Sequence, residues 1–272
     1  MKSSTSQIGY VVDEEDPRAP SQDEWDRMTE RQRREVVSSL PSEFSVEAMP
    51  PEGDLHHDAT DSIRDTLRGY FRRTRAGIYI GSNLAVYYPG ERVFAPDIMA
   101  VTGVDPHPRQ TWVVSDEGKG LDVAFEIHFL GNAHKDLRAN VARYARLGIT
   151  EYFVFDARKK KLLGYRLPSD RQGPYQPIPS VRLSLQSEVL GLELALVGDR
   201  VRFYHGGAML PDHDEMIARL DGMVDALMLR AEEEARRAEE EARRAEEEAR
   251  RADLAEQQLA EALAELRRLK GP

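Results

Sequence analysis

The run LDVAFEIHFL, residues 121–130, is apolar almost throughout and is broken only by Asp122, Glu126 and His128. Ten residues without polar alternation predict a central strand buried on both faces, which needs neighbouring strands beside it and further layers above and below. Glu126 draws attention within that run, because a carboxylate buried there without a partner is costly.

The flanking segments supply those layers. Between Asp58 and Arg75, Ile63, Leu67, Tyr70 and Phe71 recur at helical spacing with arginines opposite, which predicts an amphipathic helix. After Gly77, IYIGSNLAVYY and VFAPDIMAV read as strands separated by turn residues, and a loop runs through Pro106 and Pro108. KDLRANVARYARLG carries Leu137, Val141, Tyr144 and Leu147 at helical spacing and ends on Gly148, a C-cap residue. EYFVFD and KLLGYRL read as two further strands. The order helix, strands, helix, strand gives the α/β class, a mixed sheet flanked by helices.

Three regions follow: an acidic N-terminal appendage over 1–49, a core over 50–211 and a charged C-terminal helix over 212–272. In the appendage, or lid, Ser21 is placed to cap a helix that begins near Trp25 and stops before Pro41. In the tail, AEEEARR repeats three times from Ala231 to Arg251, setting alanines at alternating spacings of four and three that Leu259, Leu263 and Leu266 continue. That pattern suits a weak dimeric coiled coil. Glu232 with Arg236 and Glu233 with Arg237 equally suit a solitary helix in water.

Composition removes several functions. There is no cysteine, so disulfides, thiolate zinc sites and a cysteine nucleophile are excluded. No apolar stretch is long enough to span a bilayer and no secretory signal opens the chain, so a cytoplasmic protein without membrane attachment is expected. Neither a G-x-S-x-G elbow nor a phosphate-binding glycine loop is present. The net charge of −10 counts against nucleic-acid binding, although Arg64, Arg68, Arg72, Arg73 and Arg75 leave room for a local basic face.

The chemistry-bearing residues are Asp97 in FAPDIMAV, and Glu126 and His128 in VAFEIHFL. Carboxylates on neighbouring buried strands can hold a hard divalent cation, which activates water and offsets charge on a phosphoryl group. The same two carboxylates could equally be ion-paired or face solvent.

APDIMAV, a strand ending in FEI, a helix with Asp136 and Tyr144, and LGITEYFVFD follow one another in the order seen in the bacterial Uma-type family of restriction endonucleases, of the PD-(D/E)xK superfamily. SEVLGLELALVGDRVRFYH and PDHDE resemble that family's C-terminal section, so the resemblance runs from Pro50 to Glu215. It implies a restriction-endonuclease-like core and a metal-dependent endonuclease acting on DNA, with Asp97 and Glu126 as ligands of Mg²⁺ or Mn²⁺. The superfamily's lysine position is His128 here, and Asn140 and Phe129 replace a lysine and a small hydroxyl residue of the family pattern. Lys135, one turn before Asn140, is a substitute for the lysine or a merely solvated side chain. His57 matches a family histidine six residues before Ile63, with His56 as the second choice. The alternative is an exposed residue at a helix start capped by Asp58. Glu151, Tyr152 and Asp156 also match, Tyr152 as packing and Asp156 as turn chemistry. A catalytically inactive nuclease fold, used for binding or scaffolding through the C-terminal helix, is the competing function. Assembly is open, with a homodimer through core or tail expected.

Overall fold

The computed structural model describes residues 10–43, 53–74, 76–128, 133–171 and 173–269, apart from the side chains of 133–137, 267 and 269. The side chain of Lys135, together with Arg75 and Phe129, therefore lies outside the described set. The described chain divides into two units, one up to His213 and one from Asp214.

In the first unit the chain runs α1 (Gln22–Arg27), α2 (Glu30–Ser39), α3 (Asp54–Thr74), β1 (Ile78–Ser82), β2 (Ala85–Tyr87), β3 (Ile98–Thr102), β4 (Thr111–Val113) and α4 (Val114–Glu117). It continues through β5 (Val123–His128), α5 (Ala133–Arg146), β6 (Glu151–Asp156), β7 (Lys161–Arg166), β8 (Gln176–Pro177) and β9 (Ser180–Val181). It ends with β10 (Ser184–Ser187), β11 (Leu192–Val197), β12 (Arg200–His205) and β13 (Ala208–Met209). The fold is mixed α/β. A six-stranded sheet has the order β1-β3-β5-β6-β7-β8, a five-stranded one β13-β12-β11-β10-β9, and β2 pairs with β4.

The apolar run at 121–130 forms β5, flanked by antiparallel β3 and parallel β6. Its alternate residues enter two cores, as burial on both faces requires. Val123, Phe125 and Ile127 join Ile63, Leu67 and Phe71 of α3 and Leu192, Leu194 and Phe203 of the second sheet. Ala124 joins Met99, Tyr144, Tyr152 and Val154 on the opposite face. The parallel step from β5 to β6 needs a crossover, and α5 supplies it, closing on Gly148 at φ +77°.

Several boundaries differ from the sequence expectation. The single helix from Trp25 is instead two, because Ser21 with Glu24 and Thr29 with Gln32 each form a reciprocal capping box, and two start signals so close together break one helix in two. These helices seat Trp25, Val36 and Leu40 against Ala85, Tyr87 and Val113. The segment IYIGSNLAVYY splits at Asn83, φ +48°, into strands of different sheets. α3 starts at Asp54, so Asp58 lies inside it and is not its N-cap.

In the second unit one helix, α6 (His213–Leu269), covers the repeats, and its described side chains from Ile217 to Leu266 are all exposed. No helix among the described residues is long and apolar enough to cross a membrane.

Candidate active site

Asp97 immediately precedes β3, and β3 pairs with β5 so that Ile98 faces Phe125 and Met99 faces Ala124. One further step in that register sets Asp97 opposite Glu126. Like charges in directly opposed positions repel, so this juxtaposition opposes folding unless something offsets it. Asp97 is buried at 6% exposure, and its Oδ2 accepts a 2.6 Å hydrogen bond from the Ile127 N–H. His56 Nε2, from the first turns of α3, lies 3.2 Å from the same oxygen. Two elements distant in sequence thus hold one carboxylate in place.

Glu126 points toward the α5 face, where Tyr144 Oη donates to its Oε1 at 2.7 Å. Its carboxyl is closely surrounded by protein while the residue keeps partial solvent access. Burial first, and the Asp97 charge second, push this carboxyl well above the ordinary glutamate range, with the Tyr144 hydrogen bond opposing them. Burial, then the charge of Glu126, also raises Tyr144 and the Tyr152 phenol behind it.

Other residues singled out from sequence fall around this pair. His128 is partly buried on the same face of β5, two residues beyond Glu126 and in register with Asp156 of β6. Asp156 performs turn chemistry: it accepts from the Lys159 backbone N–H at 3.0 Å and from Lys159 Nζ at 3.0 Å. Burial raises Asp156, but the bonds and charge of Lys159 with a contribution from His128 outweigh it and hold the carboxyl low. Asn140 has its amide near the Tyr152 hydroxyl. Tyr152 is fully buried packing.

Two corrections concern the site. His57 is exposed, and it is His56, buried at 6%, that reaches Asp97. Adjacent helical positions differ by about 100°, so a one-residue change decides which imidazole faces the sheet. Sequence reasoning also missed Tyr144 as the donor to Glu126. A right-handed β-α-β crossover lays the connecting helix over the strand it leaves, which could have signalled a polar contact from that helix.

Glu151 belongs elsewhere. Arg166 Nε at 2.8 Å, Ser187 Oγ at 2.5 Å and the Glu188 N–H at 2.9 Å all donate to its carboxylate, tying β6 to β7 and to the end of β10. At the start of β5, Asp122 is likewise occupied by Thr102 and by Lys119 Nζ at 2.8 Å. Asp97 and Glu126 are thus the two carboxylates brought face to face, and no cluster of three or more ligand-type side chains occurs among the described residues.

A family model described as "Putative restriction endonuclease", Uma2, matches residues 28–197. The chain belongs to the Uma2 family. No curated protein matches it. Among solved structures, a "putative nuclease belonging to DUF820" from Anabaena variabilis is 13% identical, with a TM-score of 0.39 over 63% of this chain and 91% of that one. The Uma2 match spans α2 to β11, and so takes in Asp97, Glu126, His128 and Tyr144.

Proposed function

We propose that this Uma2 protein is a metal-dependent endonuclease that hydrolyses DNA phosphodiester bonds, with Asp97 and Glu126 holding Mg²⁺ or Mn²⁺. The observation that carries this reading is the opposed carboxylate pair, two acidic groups brought together where their own repulsion and burial drive one toward the neutral form. Mg²⁺ is commonly held by one or two protein carboxylates together with waters and substrate phosphate, so two ligands suit it. Once bound, such an ion lowers the pKa of its water and offsets charge on the phosphoryl oxygens. The chain's own residues fix the ligands. Ile127 N–H and His56 orient Asp97, and Tyr144 orients Glu126. His128, on the same face, is placed to hold or pass a proton beside the carboxylate pair.

A second reading, a nuclease fold kept for binding without turnover, is favoured by the identities of residues 128 and 140, since neither His nor Asn supplies a fixed positive charge. We also propose a homodimer through the core or the C-terminal helix, whose alanines recur at the four-and-three spacing of a coiled-coil seam.

Isothermal titration of Mn²⁺ into the protein and into Glu126→Ala, followed by plasmid nicking with the same samples, tests the reading. Binding and nicking that both vanish in Glu126→Ala are expected. Binding without nicking would favour the inactive module, and an absence of binding in the unaltered protein would overturn the metal site.

A further inference from the structure

The proposed reaction needs a surface that holds the negatively charged DNA strand against the carboxylate pair, and the net charge of −10 makes its location a question. The charge is unevenly distributed. Residues 54–212 carry 21 Lys and Arg against 19 Asp and Glu, whereas residues 1–53 carry 6 against 12 and residues 213–272 carry 11 against 17. The acidity thus resides in the arm and tail, and the catalytic core is close to neutral. Within that core the arginines of α3 are poorly placed. Arg64 is committed to Asp61 and Asp65, and Arg68 to the Ile80 carbonyl. Arg72 and Arg73 lie sixteen and seventeen residues from His56, roughly 24 Å along the helix at about 1.5 Å per residue.

The β6–β7 turn is placed differently. β5 and β6 are parallel and in register, with Glu126 beside Val154 and His128 beside Asp156, and the Ala157 N–H bonds the His128 carbonyl at 3.0 Å. The turn that follows therefore leaves the same end of the sheet as the carboxylate pair, one strand over (about 4.8 Å) and roughly 7 Å beyond Glu126. Four consecutive basic residues stand there, Arg158, Lys159, Lys160 and Lys161, all exposed. Two have tethers: Lys159 with Asp156 at 3.0 Å, and Lys160 with Asp199 at 2.7 Å, a surface pair whose side chains are 65% and 73% exposed. Exposed pairs of that kind contribute little and exchange readily for a phosphate partner. Lys160 also occupies a left-handed conformation, φ +48°, which Gly or Asn adopts at lower cost.

We infer that Arg158, Lys159, Lys160 and Lys161 form a phosphate-backbone grip that seats duplex DNA across the end of the sheet carrying Asp97 and Glu126. Its ligand is the phosphodiester backbone of double-stranded DNA, contacted without base readout, the Arg able to engage a phosphate through two N–H groups and the lysines as point charges. The inference rests on the endonuclease reading for the choice of DNA.

The test compares full-length proteins that all carry Glu126→Gln to prevent turnover, using fluorescence anisotropy with a labelled duplex over a range of salt concentrations. Removing two charges at the turn, Arg158→Gln with Lys161→Gln, should raise Kd about tenfold and shrink the slope of log K against log salt by about one to two, at roughly 0.9 per lost phosphate contact. Removing two charges at the far end of α3, Arg72→Gln with Arg73→Gln, should leave Kd within about twofold. Lys160→Asn should weaken binding while keeping or raising the melting temperature, a combination that a folding defect cannot produce. An unchanged Kd and slope in the turn variant, or equal losses in the turn and α3 variants, would overturn the grip and leave DNA binding intact. A parent protein that fails to bind duplex at every salt concentration would overturn the DNA reading and the grip together.

Discussion

Two glutamates on neighbouring parallel strands, Glu126 of β5 and Glu151 of β6, sit in opposite circumstances. Glu151 is fully buried, and a guanidinium, a hydroxyl and a backbone N–H satisfy it. Among the described residues Glu126 has the Tyr144 hydroxyl and the Asp97 backbone as hydrogen-bond partners, no cation, and faces a second carboxylate. The first arrangement is what a stable fold needs, since a buried charge must be paired and hydrogen-bonded. The second leaves electrostatic repulsion in place where a cation would relieve it. The contrast separates an acidic residue that ties the sheet together from one that the proposed function assigns to a cation, a distinction residue type alone does not give.

The sharpest way to break the comparison is to remove each glutamate in turn. Glu151→Ala leaves Arg166 with only the exposed Glu188 as carboxylate partner and leaves the Ser187 hydroxyl and the Glu188 N–H without their acceptor, and should cost about 3 kcal/mol, read by urea denaturation. Glu126→Ala should cost far less in metal-free protein, and equal losses would show that both carboxylates are structural.

The pH dependence sharpens it further. Because the folded state holds the Glu126 carboxyl above its unfolded value, folding binds a proton there. The associated stability is present below the ordinary glutamate pKa of 4.5 and is lost as pH rises through the higher folded value. Glu126→Gln should therefore raise the melting temperature of metal-free protein increasingly as pH climbs above 4.5, and added Mn²⁺ should do the same for the unaltered protein but not for the variant. A gain independent of pH would mean that Glu126 is not raised.

The smallest effect belongs to Tyr144→Phe, which removes the hydroxyl donated to Glu126 and should cost about 1 kcal/mol by denaturant unfolding. Its larger consequence should be weaker Mn²⁺ binding at unchanged stoichiometry. Unchanged affinity would reduce Tyr144 to packing.

Much of this was legible in the sequence. The apolar run at 121–130 announced a strand buried on both faces, the spacing of Ile63, Leu67 and Phe71 announced the helix over it, and the alanine repeats announced α6. Asp97 and Glu126 could be named because a carboxylate in an apolar run demands a reason. The histidine was misplaced by one residue. Helical phase over α3 depends on where the helix begins, and the start at Asp54 carries no decisive cap signal. The second sheet, β9 to β13, went unread because its strands are short and mostly half-exposed, with turns at Gly191, Gly198 and Gly206 carrying the order.

Local pattern by itself determined the main strands and helices around β5, the long tail helix and which residues are chemically capable, since periodicity and side-chain type are properties of short stretches. Only the tertiary structure decided which of those residues meet. The register of β3 on β5 set Asp97 against Glu126, and the crossover through α5 brought Tyr144 over them. The phase of α3 turned His56 inward, and the parallel pairing of β5 with β6 put the Arg158–Lys161 turn at the same end of the sheet. Each of these depends on pairing between residues far apart in the chain, where a shift of one position moves a side chain to the opposite face.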